Sequence, residues 1–318
     1  MKAHYLKLSQ LRFIAALKRR GKLSLAAKDM NISQPAASRT LAEIEALVGR
    51  QVCSRNAHGF VFNEFGDVLA ARASRVVAEV ENIGRDIREV ADGLRGRVRI
   101  GAVTAATVAH VLPASLALRA QAPNAQLQVD VEPSLTLMQR MRAGEYDFVL
   151  ARLSAADDPA AYDVRPIGEE VLSFAVRQKH PLAGRRGLGF RDLSPYEWII
   201  QPAGSPIWTT VVDAFRAEHA DFPERVTYSA SALLTLATVS RTDAIAPFAR
   251  EVATLMAEDL GASIATLDMA SRASVPAYNV ILNRNALLSP LAQRFLSLIE
   301  AEIQRPGPSA ASDAAEAS

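Results

Sequence analysis

Cysteine and long apolar runs are nearly absent from this chain of 318 residues. Cys53 is the only cysteine, which excludes an intrachain disulfide and a metal site built from several thiolates. No apolar run approaches the roughly 20 residues that cross a bilayer. The opening residues, MKAHYLKLSQLR, lack the apolar core of a signal peptide. These absences predict a cytoplasmic protein without a membrane partner.

Catalytic signatures are missing as well. The sequence has no G-x-S-x-G, H-E-x-x-H or P-loop motif and no glycine-rich dinucleotide fingerprint, and its five histidines lack metal-ligand spacing. We therefore expect no enzyme, no catalytic residue, no cofactor and no metal. Cys53 is interpreted as a small buried hydrophobe, with a redox switch as the weaker alternative.

Charge is distributed unevenly along the chain. Residues 1–62 contain eleven Lys and Arg against three Asp and Glu, which is a net charge of +8. Because the whole chain sums to +2, the remaining residues carry −6. A basic module beside an acidic domain is typical of a phosphate-binding protein, but a merely solvated basic face fits the charge equally well. Charge alone therefore does not identify a phosphate-binding module, and a sequence motif is needed to decide between the two interpretations.

The basic segment, residues 1–62, has the pattern of a winged helix-turn-helix. A first amphipathic helix ends at Gly21. Ser33 is suited to cap a later helix that has Pro35 in its first turn and stops at Gly49. The remaining residues of the segment, with a glycine at the bend, are expected to form a small β-hairpin wing.

A proline-free segment, residues 63–93, follows the hairpin, and Asn63 is suited to cap it. Apolar residues recur along it at helical spacing, and these are Phe65, Val68, Leu69, Val76, Val77, Val80, Ile83, Ile87 and Val90. A long helix with one apolar stripe is unstable alone in water. We therefore expect a linker helix that pairs with a second copy of the chain.

From residue 97 to residue 304 strands alternate with helices. This alternation predicts a parallel-rich α/β sheet with flanking helices, divided into two lobes. We assign residues 97–167 and 265–304 to lobe I and residues 168–264 to lobe II. Residues 305–318 lack core-forming side chains and are expected to be a disordered tail.

The segment SLAAKDMNISQPAASRTLAEIEALVG resembles the signature helix-turn-helix of LysR-type transcription regulators. The order of elements after it is also similar to that family, over residues 6–303. In the sensor, RVRIGAVTA, AGEYDFVLARL, HPLA and WIIQPAGSPI resemble a subgroup that includes regulators of a galactose-binding protein and of protocatechuate breakdown. The wing departs from the family pattern, because Val52-Cys53-Ser54-Arg55 replaces Leu-Phe-x-Arg. Phe62-Asn63 likewise replaces a Leu-Thr pair.

The resemblance implies a winged helix-turn-helix, a long linker helix and a two-lobed effector domain like a periplasmic binding protein. It implies binding to double-stranded promoter DNA and to a small-molecule effector between the lobes, such as a sugar, a sugar acid or an aromatic acid. It also implies a homodimer through the linker helix, a homotetramer through the sensor domains, and RNA polymerase as a partner if the protein activates transcription.

The expected DNA-binding residues lie in the wing and at the start of the helix that Ser33 caps. They are Ser33, Gln34, Pro35, Ala36, Ser38, Arg39 and Arg55. Gln34 can bond adenine bidentately and Ser38 can donate or accept, while the two residues after Gln34 can touch a thymine methyl. Arg39 and Arg55 are expected to bind phosphate groups of the DNA, and the backbone amides at the helix start that Ser33 caps can face a further phosphate. The alternative for Gln34 and Ser38 is a solvated helix face.

The expected effector-binding residues lie where strands end, and are Thr104, Ala105, Ser134, Leu135, Arg152, Pro202, Gly204 and Ser205. Arg152 is a candidate partner for a carboxylate. The alternatives are helix caps for Thr104 and Ser134 and a surface salt bridge for Arg152. Trp208 is suited to stack on a ring or to be a half-buried core residue. Crossing strands near residues 166–172 and 262–268 are expected to act as a hinge.

Two other protein classes compete with a regulator. A ligand-binding protein without gene control would explain the sensor, but it would not need the basic helix-turn-helix. An enzyme of the same two-lobed fold would need clustered acids, bases or a cofactor lysine, and the sequence shows none.

Overall fold

The computed structural model describes residues 5–56, 59–92, 96–154 and 157–305, with the backbone alone at residues 82 and 84–92. The expected tail from residue 306 onward and the tip of the wing at residues 57 and 58 lie outside the described residues. The N-terminal module consists of α1 Leu8–Arg20, α2 Leu23–Asp29, α3 Gln34–Val48, β1 Cys53–Asn56 and β2 Gly59–Phe62.

The ends of these helices follow from local backbone chemistry. Gly21 and Gly49 end α1 and α3 in the left-handed conformation, with φ of +64° and +75°, which glycine adopts at little cost. The helices pack around one core, whose largest members are Phe13, Ile14, Leu17, Leu41 and Ile44. The wing joins this core through β1, which pairs antiparallel with β2.

The linker helix, α4 Glu64–Asp92, is capped by Asn63, whose Oδ1 accepts a hydrogen bond from Gly66 N–H at 3.0 Å. Its apolar residues fall on two faces rather than on the one stripe that we expected. One face packs against α1 and buries Ala70 and Ala73, with Leu69 and Val77 half-buried. The other face is exposed in the single chain and carries Phe65, Val68, Val76, Val80 and Ile83. The side chains of Ile87 and Val90 lie outside the described residues.

The sensor begins at β3 Arg97–Ala102. The elements of its first half are α5 Thr104–Ala106, a π-helical turn Thr107–Val111, α6 Leu112–Gln121, β4 Gln126–Val131, α7 Ser134–Arg142, β5 Phe148–Ala151, a 3₁₀ turn Pro159–Ala161 and β6 Tyr162–Arg177. Those of its second half are α8 Phe190–Leu193, β7 Trp198–Ile200, α9 Pro206–Ala217, β8 Val226–Tyr228, α10 Ala232–Val239, β9 Ala246–Ala249, α11 Arg250–Thr254, a π-helical turn Leu255–Asp259, β10 Ile264–Thr266, β11 Ser274–Asn283 and α12 Pro290–Gln304.

The main sheet is mixed rather than parallel-rich. Its strand order is β10-β6-β11-β5-β3-β4, with β9 also paired to β6, and a separate pair joins β7 to β8. Among the paired strands of the described residues, β3–β4, β3–β5 and β7–β8 are parallel. The long strands β6 and β11 pair antiparallel with each of their neighbours. The sequence predicted the strands but not their directions.

Two strands, β6 and β11, pass through both lobes. The first half of β6 pairs with the second half of β11 in lobe I, and its second half pairs with β9 and β10 in lobe II. The expected crossing near residues 166–172 lies in β6. The one expected near residues 262–268 is wrong, because β10 pairs with the end of β6 and Leu267 packs in the lobe II core. The return to lobe I therefore begins near Ser274, and not at residue 265.

Candidate DNA-binding surface and effector crevice

The start of α3 is fixed by Ser33. Its Oγ accepts a hydrogen bond from Ala36 N–H at 3.3 Å, and Pro35 lies in the first turn, where no hydrogen bond is lost. The inner face of the helix buries Ala37, Leu41 and Ile44. Because these residues are buried in the core, the opposite face of the helix is exposed to solvent.

That outer face contains the DNA-binding residues expected on α3. Ser33, Gln34, Pro35, Ser38 and Arg39 are exposed, and Ala36 is half-buried. Within the described part of the chain, the side chains of Gln34, Ser38 and Arg39 form no hydrogen bond or ion pair. A surface of free donors and acceptors on a rigid helix is able to read base edges.

Two carboxylates outside that face hold α3 in place. Gln10 on α1 donates from Nε2 to Glu43 at 3.2 Å, and Glu45 accepts from Val52 N–H at 2.8 Å, which ties the helix to the wing. The other acid of the module is used within it. Asp29 accepts two bonds from Arg20, at 2.8 and 3.0 Å, and these lower the pKa of its carboxyl. Lys18 of the module pairs with Asp67 on the linker helix.

Arg55 is exposed on β1 and, within the described residues, forms no ion pair. The wing is held against α1, because Phe60 N–H donates to Gly21 O at 2.7 Å. Gly59 is required at this contact, since a Cβ there would lie 2.2 Å from the same oxygen. Cys53 is 3% exposed, and burial raises the pKa of its thiol to about 11. It is therefore a buried thiol, as expected.

In lobe I, three of the expected effector residues lie at one edge of the sheet. Thr104, Ser134 and Arg152 follow β3, β4 and β5, which are neighbours in the order β5-β3-β4. Thr104 is exposed, and its hydroxyl forms no hydrogen bond within the described residues. Ser134 is half-buried, and its Oγ accepts from Arg152 N–H at 3.1 Å. Ala105 is buried and Leu135 is 57% exposed.

In lobe II, the expected loop follows β7. Pro202 and Gly204 are exposed, and Ser205 caps α9 by accepting from Trp208 N–H at 3.2 Å. Trp208 is half-buried against the lobe II core, which favours its core interpretation. Sequence reasoning missed the neighbouring end of β8, whose last residue, Tyr228, lies opposite Ile200 in the register and is 53% exposed.

Arg152 has a partner within the chain. Its guanidinium forms an ion pair with Glu170 on β6, donates from Nε to Pro276 O on β11 at 2.7 Å, and lies 5.7 Å from the ring centroid of Tyr278. The surface salt bridge weighed for Arg152 is thus a largely buried one, with the two side chains 15% and 6% exposed. Sequence reasoning identified neither Glu170 nor Tyr278, and β6 offers no clear signal, because Glu170 is one of several charged residues along that strand.

His110 and Tyr278 extend this cluster. The two rings lie 6.2 Å apart, and burial lowers the pKa of His110, so the imidazole is neutral at pH 7. Burial raises the pKa of the Tyr278 hydroxyl, with Glu251 and Glu170 raising it further and Arg152 opposing them. Arg152, Glu170 and the neutral phenol of Tyr278 thus lie together where β5, β6 and β11 adjoin.

None of the helices among the residues that the structure describes combines the length and apolarity that a membrane span requires.

Two protein-family models match the chain. The model described as "Bacterial regulatory helix-turn-helix protein, lysR family" matches residues 8–67, and "LysR substrate binding domain" matches residues 91–304. The helix-turn-helix match argues against a ligand-binding protein without gene control.

Curated relatives and a solved structure agree with these models. The HTH-type transcriptional regulator GbpR of Rhizobium radiobacter is 36% identical over 252 residues, covering 79% of this chain and 83% of the relative. GbpR of Azospirillum brasilense is 32% identical over 317 residues, covering 97% and 92%. The crystal structure of full-length CbnR complexed with its target DNA has a TM-score of 0.63 at 19% identity, covering 93% of this chain and 100% of that one, and shows likeness of fold. The curated relatives are named as regulators, in agreement with the expectation of no enzyme.

Proposed function

The chain belongs to the LysR family of bacterial transcription regulators, and we propose that it reads its operator with the outer face of α3 and adjusts that binding when an effector enters the crevice. The observation that carries the proposal is the free polar face of a rigid, capped helix in the basic module. Solvated helix faces are common, but this one lies in the matched helix-turn-helix. A polyanion supplies the counter-charges that this module lacks.

On the DNA, Gln34 and Ser38 contact base edges, and Pro35 and the half-buried Ala36 contact a thymine methyl. Arg39 on the helix and Arg55 on the wing hold phosphates, which fixes the register without specifying sequence. The amide groups that follow Ser33 face a further phosphate.

The effector lies between the turns of lobe I and the loop of lobe II. Its proposed contacts are Thr104, Ala105, Ser134, Leu135, Pro202, Gly204 and Ser205, with Arg152 below them. Strands β6 and β11 carry the hinge, because they alone of the described strands pass through both lobes. A ligand that binds the closed form more tightly shifts the population toward it, by no more than that difference in affinity.

Assembly follows from the exposed face of α4. Phe65, Val68, Val76, Val80 and Ile83 are exposed along the helix, and a second copy of the same helix covers them in a homodimer. Two dimers join through the sensor domains into a tetramer in the cytoplasm, and RNA polymerase is a partner if the protein activates transcription.

In vitro selection from random DNA with the purified full-length chain tests the proposal. A two-fold dimer predicts enriched inverted half-sites whose centres are about 10 base pairs, or a multiple of that, apart. A pool without enriched half-sites would contradict sequence reading by α3.

A further inference from the structure

The crevice contains a cation whose charge is already neutralised. Arg152 follows β5 in lobe I, and its guanidinium bonds to the crossing strands, to Glu170 on β6 and to the Pro276 carbonyl on β11. Glu170 is 6% exposed. A buried carboxylate at this position is costly unless it is paired, so the ion pair is a fixed part of the crevice floor.

Two further acids, Glu251 and Glu132, belong to the same part of the sensor. Glu251 and Glu170 both act on the phenol of Tyr278, and Arg152 is the cation that opposes them. Glu132 also lies at this edge of the sheet, directly after β4, with its N–H 3.4 Å from Ala102 O. A ligand that approaches Arg152 therefore meets a guanidinium whose charge Glu170 already neutralises.

This arrangement separates two classes of effector. A carboxylate would have to share the guanidinium with Glu170, and the repulsion between two acids in a site of low dielectric is unfavourable. A hydroxyl group both donates and accepts, so it can donate to Glu170 and accept from an N–H of Arg152 that neither Glu170 nor Pro276 uses. The exposed hydroxyl of Thr104 lies at the same edge and suits the same kind of ligand.

We propose that Glu170 determines the effector class of this crevice: by neutralising Arg152 it makes the site accept uncharged, hydroxyl-rich molecules of the sugar type and reject the corresponding acids. The inference rests on the proposed function, because it assumes that the effector occupies the crevice.

The test is calorimetry on the full-length protein with matched pairs of ligands that differ in one carboxylate. The pairs are D-galactose with D-galactonate, D-glucose with D-gluconate and L-arabinose with L-arabinonate, and benzoate is added as an aromatic acid. We expect at least one sugar to bind the wild type more than about tenfold more tightly than its acid, the effect of about one hydrogen bond to a charged group.

Three variants sharpen the result. Glu170→Gln keeps the shape and the bond to Arg152 but frees the positive charge, so the preference for the sugar should fall at least about tenfold or reverse. Glu169→Gln, at the exposed neighbour on the same strand, is the matched control and should leave the preference unchanged. The double variant Arg152→Gln with Glu170→Gln removes both charges, and we expect it to gain no binding of acids. It also provides a second measurement if Glu170→Gln alone does not fold.

Stronger binding of an acid than of its sugar by the wild type, or of benzoate than of every sugar, would overturn the proposal. So would a preference that Glu170→Gln does not change, or a panel in which no sugar binds the wild type and Glu170→Gln gains no acid. Thr104→Val distinguishes this failure from that of the proposed function. If the variant weakens binding of an acid, the crevice site stands and only the charge rule fails, whereas unchanged binding of every ligand moves the site elsewhere.

Discussion

The outer face of α3 and the floor of the crevice use similar side chains in opposite states. On α3, Gln34, Ser38 and Arg39 are exposed and, within the described residues, form no side-chain bond. In the crevice, Arg152 and Glu170 hold one another and are largely buried. The polar groups of α3 are thus available to the DNA that we propose as their partner, whereas Arg152 and Glu170 already bond to each other. A small ligand must therefore match a preset arrangement, which gives selectivity.

The largest expected effect lies outside both sites, in the linker helix that is to join two copies. Val76→Asp with Val80→Asp places charges in the exposed face of α4, and burying them in a dimer seam costs several kcal/mol. We expect the double variant to lose the α4 interface and to sediment at half the wild-type mass in analytical ultracentrifugation, because any contact through the sensor domains is untouched. Glu79→Gln on the same turns is the control and should keep the wild-type mass. A double variant of wild-type mass would show that α4 is not the seam.

The DNA face is tested next. Gln34→Ala and Ser38→Ala should each weaken binding to a selected operator by about 1–3 kcal/mol while sparing random DNA, because each removes a base contact and no internal bond. Fluorescence anisotropy measures both affinities. Gln51→Ala, at an exposed glutamine off the helix, should change neither. An equal loss of affinity for random DNA would mean that these side chains contact the phosphate backbone of the DNA and do not read its bases.

The crevice should behave differently, because one of its hydroxyls is already used. Thr104→Val should weaken effector binding by about 1–3 kcal/mol without lowering stability, since the hydroxyl has no bond within the described residues. Ser134→Ala should lower both the affinity for the effector and the stability of the fold, because it also removes the acceptor of the Arg152 N–H. Calorimetry and thermal unfolding separate the two effects, with Thr266→Val as an exposed control on β10. Unchanged effector affinity in both variants would move the site.

The smallest effect concerns Cys53. Its pKa is about 11 in the folded chain against an ordinary 9.0, so the unfolded chain loses the proton first as pH rises. This contribution to stability is complete below pH 9 and is lost between pH 9 and about pH 11. Near pH 8, Ellman's reagent should therefore react far more slowly with the native than with the unfolded protein. Rapid reaction of the native thiol would show that it is accessible and would favour the alternative interpretation of Cys53 as a redox switch.

Local patterns predicted the DNA face better than the crevice floor. Caps such as Ser33 and Gly49 act within a few residues, so their sequence signals were sufficient to locate α3. The ends of β3, β4 and β5 also indicated the turns at Thr104 and Ser134. The pair of Arg152 and Glu170 depends on which strand neighbours which. Periodicity does not reveal strand direction, and it led us to take the short β10 for a crossing strand.

We expect the exposed cations of the N-terminal module, such as Arg39 and Arg55, to bind DNA. This expectation is tested most directly by the salt dependence of binding between the full-length protein and sheared genomic DNA. With 6–10 phosphate contacts, affinity should fall about 10³–10⁵-fold between about 50 and 200 mM salt. Arg39→Ala and Arg55→Ala should each reduce the slope of log K against log[salt] by about 1. A flat salt dependence, or a slope that neither substitution alters, would contradict the account.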